Sequence, residues 1–200
     1  VTGAANGSNT SAVFSGRCQR TGADYVYLET LGGGMGGRND RDGKDGVQVH
    51  VTNTSNLPIE AIEMEYPLRV EEYGLVPDSG GAGEHRGGLG LRRVIRPVGH
   101  KCSFSGAGER FKNEPWGIFG GKSGRRGRFL LIDDSGKEVE LATKPSIEFV
   151  EDQVIVIETP GAGGYGDPHS RPAEKIDEDE LSEKFSAAYL QKHYHPKMEN

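Results

Sequence analysis

The residues of this chain best suited to chemistry begin with a histidine and an asparagine in the segment VQVHVTNT. Val47, Val49 and Val51 alternate there with polar residues, a pattern that predicts a half-buried β-strand. His50 falls on the polar face of this strand, shortly before Asn53. An imidazole in that position could face an open cleft, or it could orient a buried hydrogen-bond network.

A carboxylate and a guanidinium follow in the clearest alternating pattern of the chain. Between residues 62 and 70, apolar side chains alternate with charged ones or proline, which predicts one strand with an apolar face and a charged face. Glu63, Glu65 and Arg69 share the charged face, where they could serve a substrate or form a structural ion pair. Pro67 lacks a backbone N–H, so it predicts an edge or a bulge at that point.

Two glycine-rich segments match the G-x-G-x-x-G pattern of dinucleotide-binding loops. They are the segments 32–37 and 161–166, and each follows a predicted strand. Neither opens a helix, and a bound pyrophosphate needs the N-terminus of one, so we expect tight turns or close backbone packing instead. The segment GIFGGKS resembles a phosphate loop, but Trp116 stands where that loop needs its first glycine. No nucleotide site is therefore assigned.

The aspartate-rich loop NDRDGKDG has spacing similar to that of a calcium-binding loop. Asp40, Asp42 and Asp45 would be the ligands, but Lys44 and Val51 occupy positions where an EF-hand needs oxygen ligands. We therefore expect a turn rich in aspartate and glycine, and no metal site.

A basic segment stands out in this acidic chain. It could receive an anionic ligand or an acidic partner surface, or it could be a solvated loop. Its members are Arg110, Lys112, Lys122, Arg125, Arg126 and Arg128.

The elements that must position these residues are mostly strands. Further strands or hairpins are predicted at 25–28, 91–98, 129–141 and 154–158. Only the tail has helical spacing, over 177–192, with Asp177 and Glu180 as a capping box. We expect a mainly β (α+β) fold, a Gly-rich-looped antiparallel or mixed β domain with one C-terminal helix. The predicted division is a β-rich region over 1–170 and a helical tail over 171–200.

Composition and charge exclude several classes of function. The chain has 200 residues, of which 31 are glycine, and its formal net charge of -6 argues against a general nucleic-acid or anionic-membrane binder. No stretch approaches the roughly 18 to 20 apolar residues of a membrane span. Cys18 and Cys102 are the only cysteines, and neither lies in a CxxC motif, so they predict no zinc cage and no disulfide framework. We expect a cytoplasmic protein.

Several motifs in a fixed order carry a resemblance to a known family. The segments ETLGGGMGGRNDRDGKDG, VHVTNT, EYPLRVE, DSGGAG, GERFKNEPWGIFGGKSGRRG and GYGDP follow one another along the chain. In this order they resemble the C-terminal part of the hydantoinase B/5-oxoprolinase family, over roughly residues 25–170. The motif PGAGGYGDP differs slightly, with Ala162 where family members often have glycine.

The resemblance implies part of the B-type subunit of an ATP-dependent enzyme that opens a lactam or hydantoin ring, such as 5-oxoproline. In this family ATP and Mg²⁺ are held by a companion A-type subunit, which activates a carbonyl or carboxyl oxygen, and the B-type chain contributes to the substrate cavity. A full B-type chain extends further on its N-terminal side, where the family's metal ligands lie. The resemblance thus implies no cofactor on this segment alone and incomplete catalysis. The implied partners are an A-type subunit, the N-terminal part of a B-type subunit and a small-molecule substrate.

The resemblance also selects candidate site residues. Four polar residues match family positions and are expected on strands beside the first glycine-rich loop, namely His50, Asn53, Glu63 and Arg69. The glycines expected to shape that loop are Gly32, Gly33, Gly34, Gly36 and Gly37. No catalytic residue and no metal ligand is assigned.

Two other functions are consistent with these motifs. Relatives in the same family carboxylate acetone or acetophenone, and such an enzyme would need bicarbonate in addition to ATP. The chain could also be a non-catalytic assembly module, with its glycine-rich loops and basic segment as the interface.

Overall fold

The described part of the chain folds into two antiparallel β-sheets with three short α-helices. The computed structural model describes residues 1–52 and 54–194. The strands are β1 Thr10–Arg17, β2 Asp24–Leu31, β3 Leu68–Leu75, β4 Leu91–Pro97, β5 Cys102–Ala107, β6 Arg128–Asp133, β7 Glu138–Glu140, β8 Ser146–Phe149 and β9 Gln153–Glu158. One sheet has the order β2-β1-β5-β8 and the other the order β3-β4-β9-β6-β7. Every strand pairing is antiparallel, which confirms the mainly β fold.

The core lies between the inner faces of the two sheets. Phe14 and Phe104 from the four-stranded sheet meet Phe129 and Ile155 from the five-stranded sheet, and all four are fully buried. Burial of one such side chain stabilises the fold by roughly 1.5–3 kcal/mol. β1 was not predicted because the apolar run Ala12–Phe14 in TSAVFSGR fills both faces of the strand and is flanked by polar residues, so no clear alternation appears.

The strand predicted over residues 62–70 is wrong in its first half. Helix α1 spans Ile59–Glu65, and β3 begins only at Leu68. Ile59, Ile62 and Tyr66 lie at helical spacing and pack on the core, with Ile62 fully buried. Burial of this helical face outweighs the alternating pattern. β3 is an edge strand with a bulge between Val70 and Glu72, close to the irregularity that Pro67 predicted.

The strand predicted around His50 is also wrong. Among residues 47–52, only Val47 pairs, through an isolated bridge to Gly33. Val51 has a φ of 68° and is 99% exposed, so the chain turns away from the sheet there. Because a β-branched residue rarely adopts this conformation, alternation of valines alone did not reveal the turn.

The C-terminal helix is two helices and not one. After a 3-10 turn at Pro168–Ser170, α2 spans Ala173–Leu181 and α3 spans Ala187–His193. The break includes Glu183 with a φ of 55°. The capping prediction at Asp177 is wrong because this residue lies inside α2, whereas Ser186 caps α3 by accepting a hydrogen bond from the Tyr189 N–H. The proposed division at residue 170 stays a prediction.

The glycine-rich segments pack backbone against backbone, as expected. A Cβ atom on Gly87 would lie 1.9 Å from the Ala162 carbonyl oxygen, and one on Gly43 would lie 1.8 Å from that of Met35. These contacts leave no space for any side chain. Helices α2 and α3 and the connection between them cover this region through Ile176, Leu190 and Phe185, respectively on α2, on α3 and in the connection.

Candidate functional site

A cavity of about 340 Å³ brings together two of the four predicted site residues. Glu63 reaches it from α1 and Arg69 from β3, so the short connection between these elements forms one wall. The opposite wall is the turn between β1 and β2. The lining residues are Cys18, Gln19, Arg20, Glu63, Tyr66, Pro67, Leu68, Arg69 and Val98. We call this the first cavity.

The charges in the first cavity do not neutralise one another. Glu63 Oε1 accepts a hydrogen bond of 2.9 Å from the backbone N–H of Val70, which fixes the carboxylate beside the start of β3. The structural ion pair considered for Glu63 and Arg69 is not formed: across residues 1–52 and 54–194, neither Arg69 nor Arg20 has a carboxylate within ion-pair distance. Two guanidinium groups are thus available to a ligand with negatively charged oxygens.

Cys18 gives the first cavity a thiol with altered acidity. The hydroxyl and backbone of Thr21 hydrogen-bond to the thiol, and this lowers the pKa of Cys18 below the ordinary value, with a smaller contribution from the Arg20 charge. Cys102, by contrast, lies fully buried on β5, and burial raises the pKa of its thiol. The two cysteines therefore differ in reactivity, which their sequence positions did not indicate.

Tyr66 separates the first cavity from a second one of about 450 Å³. The second cavity is lined by Tyr27–Thr30 of β2, by Thr54–Pro58 and by Tyr66. Its wall includes Glu29, a buried carboxylate.

Glu29 belongs to a buried ion pair that links the two sheets. Arg93, on β4, has no exposed surface and donates a hydrogen bond to Glu29 on β2. Glu29 also accepts hydrogen bonds from the Tyr27 hydroxyl and the Leu57 N–H, so its oxygens are well satisfied. The Arg93 guanidinium lies 4.2 Å from the ring centroid of Tyr73. This pair fixes the position of β2 beside the second cavity.

The other predicted site residues lie elsewhere. His50 is exposed on an irregular segment, where its carbonyl oxygen lies 3.5 Å from Asn9 Nδ2. Asn53 lies outside the described residues. The glycines of the segment 32–37 line neither cavity and pack against other glycine-rich backbone.

The aspartates of the first glycine-rich loop bind arginines, so ion pairs hold the turn that this segment forms. Arg171 donates to Asp42 at 2.8 Å, and Arg86 donates to Asp45 at 2.8 Å. Both arginines also pair with Asp179 of α2. Burial alone would raise the pKa values of Asp42 and Asp45, but the arginine partners outweigh it and lower both.

The basic segment is neutralised in part. Arg125 and Arg128 donate to Glu158 at 2.7 and 2.6 Å, and Arg92 joins the same carboxylate. Arg110 stacks on the ring of Trp116 at 4.5 Å. These contacts favour a structural role for half of the segment.

Neither of the two segments that match G-x-G-x-x-G opens an α-helix. The segment 161–166 leads into the three-residue 3-10 turn, and the segment 32–37 leads into the aspartate-rich loop. No group of three or more His, Cys, Asp or Glu side chains in the described part could hold a metal ion. None of the described helices is long and apolar enough to cross a bilayer.

The four predicted site residues did not include Arg93, which pairs with Glu29, or four other residues that line these cavities, namely Cys18, Arg20, Glu29 and Tyr66. Arg93 carried a weak signal, since it sits at an inward position of a predicted strand, where a charged residue needs a buried partner. The remaining residues are brought together by contacts between distant segments.

Comparisons with known proteins identify relatives over nearly the whole chain. Residues 1–168 match the sequence profile of the family described as Hydantoinase B/oxoprolinase. An uncharacterized protein of Methanocaldococcus jannaschii is 43% identical over 198 residues, which is 99% of this chain and 34% of that protein. The putative B-type subunit of a D-/L-hydantoinase from Pseudomonas sp. (strain NS671) is 37% identical over 159 residues, which is 78% of this chain and 27% of that protein.

The fold is also similar to that of a solved structure. The ATP-dependent caprolactamase from Pseudomonas jessenii superposes with a TM-score of 0.84 and 24% identity, covering 100% of this chain and 36% of that chain. At this identity the likeness shows the fold alone. The chain spans about a third of the length of these relatives.

Proposed function

The chain belongs to the hydantoinase B/oxoprolinase family, and from this premise we propose that it supplies part of a B-type subunit in an ATP-dependent enzyme that opens a lactam or hydantoin ring. The observation that carries the proposal is the match over residues 1–168, together with 37% identity to the putative hydantoinase subunit of Pseudomonas. Because the chain spans only about a third of its relatives, we propose that it acts in the cytoplasm with the rest of a B-type subunit and an ATP-binding A-type subunit.

The proposed reaction explains why two kinds of subunit are needed. A cyclic amide carbonyl is a poor electrophile because the ring nitrogen donates electron density to it. ATP, bound with Mg²⁺ by the A-type subunit, supplies the activation by phosphoryl transfer to the amide oxygen. ADP would leave in that transfer, one water would then break the ring C–N bond, and a second water would release the phosphoryl group as inorganic phosphate. The present chain needs no nucleotide site in this scheme, and its task is to hold and orient the substrate.

The first cavity has the chemistry for that task. Arg20 and Arg69 can donate hydrogen bonds to oxygens that carry negative charge, and they would stabilise charge that builds up on the amide oxygen. The Glu63 carboxylate, fixed by the Val70 N–H, can accept a hydrogen bond from a ring N–H. Leu68 and other apolar lining residues would contact the ring carbons. A volume of about 340 Å³ is within the usual range for a small-molecule site.

Arg69→Ala in the assembled enzyme tests this assignment. A charge-assisted hydrogen bond contributes about 1.5–3 kcal/mol, so we expect kcat/KM for the cyclic amide to fall about 10- to 100-fold. Arg126→Ala is the matched control, because Arg126 is half-exposed and its only ion pair in the described part, with Glu140, is 3.7 Å long. Equal activity of the two variants would exclude the first cavity as the substrate site.

Two alternative functions make different predictions. A ketone carboxylase would need bicarbonate for ATP turnover, whereas ring opening needs only water. A non-catalytic assembly module would form a complex in which Arg69→Ala leaves catalysis unchanged. The 37% identity to a putative hydantoinase subunit favours ring opening over both.

A further inference from the structure

The outer faces of the two sheets differ in charge. On the five-stranded sheet, Arg92 and Arg128 flank Glu158 on neighbouring strands, and Glu72 extends the row on β3. This ladder covers one end of that face, and beside it Val94, Leu130 and Val156 form a small buried apolar cluster. The outer face of the four-stranded sheet carries no such row among the described residues.

Six uncharged residues occupy the centre of that second face, and we call them the outer patch. Val26 and Leu28 on β2 are 66% and 64% exposed, although aliphatic side chains of a strand normally point inward. Val13 lies opposite Leu28, and small serine side chains continue the row across β1 and β5. The members of the outer patch are Val13, Ser15, Val26, Leu28, Ser103 and Ser105.

The outer patch continues to a sheet edge that has no paired strand, although Gln48 donates a hydrogen bond to the Thr30 carbonyl oxygen and the segment 54–58 lies across the second cavity. β2 pairs with β1 on one side, and no strand in the described part of the chain pairs with its other side. Edge strands that stay in water usually carry charged residues or proline as guards. The exposed residues in the middle of β2 are Val26 and Leu28 instead. An uncharged sheet face next to an unpaired strand edge is typical of a surface that packs against another polypeptide.

The length of the relatives indicates which polypeptide covers this face. The chain spans 34% of the Methanocaldococcus jannaschii relative and 36% of the caprolactamase chain, so most of a B-type polypeptide lies outside the matched region. Residues Tyr27–Thr30 of β2 also line the second cavity. A layer docked on β2 would therefore border the second cavity and, across Tyr66, the first.

We propose that the outer patch and the free edge of β2 form the docking surface for the remaining part of a B-type polypeptide. This rests on the proposed function. Docking buries Val26 and Leu28 and places residues of the docked part beside the two cavities. A lysine at either position would put a charge into the centre of the interface, where substitutions typically weaken binding about 30-fold or more.

The test measures binding of the whole chain to the part of the Methanocaldococcus jannaschii relative that lies outside the matched region. Co-expression shows whether the two polypeptides form a complex, and isothermal calorimetry with the two purified partners gives the affinity. We expect the unmodified chain to bind, and Val26→Lys and Leu28→Lys to bind about 30-fold more weakly or not at all. Leu181→Lys is the matched control, since Leu181 is 88% exposed at the end of α2, and it should bind normally. Circular dichroism and thermal unfolding verify that every variant is folded.

Three outcomes would overturn the proposal. They are normal binding by both β2 variants, no binding by a folded unmodified chain, or a homodimer of the chain that Val26→Lys dissociates. The last result would assign the face to a second copy. Because association is measured without ATP or substrate, it is independent of the proposed activity. A complex that assembles through β2 yet opens no cyclic amide refutes the function and leaves the docking surface in place.

Discussion

Arg93→Met is expected to destabilise the protein strongly, because it leaves a buried carboxylate without its cation. Arg93 has no exposed surface, Glu29 is 7% exposed, and their contact links the two sheets. Removing one partner of a buried ion pair typically costs about 3–5 kcal/mol. Glu29 would keep its hydrogen bonds from Tyr27 and Leu57. We therefore expect the low end of the range, a loss of about 3 kcal/mol in the free energy of unfolding.

Urea denaturation followed by circular dichroism measures this loss. With an m-value of about 2 kcal/mol/M, the midpoint should fall by about 1.5 M. For a chain of this size the Tm should fall by about 6–12 °C. Lys101→Met, which removes an exposed pair with Glu148, is the control and should cost less than about 1 kcal/mol. Glu29→Gln combined with Arg93→Met should recover part of the loss, since the carboxylate is then absent. Equal urea midpoints for Arg93→Met and Lys101→Met would show that the buried pair of Arg93 and Glu29 stabilises the fold no more than the exposed pair does.

Three further predictions concern packing, pH and thiol reactivity. Gly87→Ala should destabilise the fold by about 2–3 kcal/mol and lower the Tm by about 6 °C or more, because no space exists for the new Cβ atom. Gly74→Ala is the control: open space surrounds that position, so the Tm should change little. The pKa of Asp45 in the folded protein lies below its ordinary value of 3.8, so the ion pair of Asp45 stabilises the fold above that pH. This stabilisation is lost as the pH falls through the folded-state pKa. Asp45→Asn should therefore make the free energy of unfolding, measured by urea titration, less dependent on pH in the acid range. Alkylation by iodoacetamide should modify Cys18 before Cys102 and at lower pH, and equal rates would contradict the hydrogen bonding described for Cys18.

Strands with a strong apolar signal could be predicted from the sequence. Residues 154–158 form β9, residues 91–97 form β4, and the hairpin near Gly136 joins β6 to β7. In each case β-branched or aliphatic residues occupy inward positions next to a turn signal. β5 and β8 were missed because each is short and carries only two apolar inward residues, Cys102 and Phe104 in β5 and Ile147 and Phe149 in β8.

Where one segment fits both a strand pattern and a helix pattern, the sequence alone did not identify the element that forms. The segment around Ile62 alternates like a strand and also repeats like a helix, and the burial of Ile62 against the sheets selects the helix. The tail shows one helical period, but the turn at Glu183 lets Phe185 and Leu190 both reach the glycine-rich core. Such choices depend on distant partners.

The candidate site was predictable only in part. Glu63 and Arg69 do line one cavity, but from a helix and a strand and not from one strand face. Cys18 and Arg20 come from a turn far earlier in the chain, a contact that no local pattern encodes. His50 lies exposed and separate, and its predicted role in substrate binding stays a prediction.

The most direct test of the central proposal is ATP hydrolysis by the complex isolated on a tagged form of this chain. Ring-opened product and ADP are measured together with 5-oxoproline, hydantoin, caprolactam and acetone, each with and without bicarbonate. We expect one or more of the cyclic amides to stimulate ADP formation and to yield ring-opened product without bicarbonate. ATP turnover that requires acetone and bicarbonate, or a complete complex with no amide-dependent turnover, would contradict it.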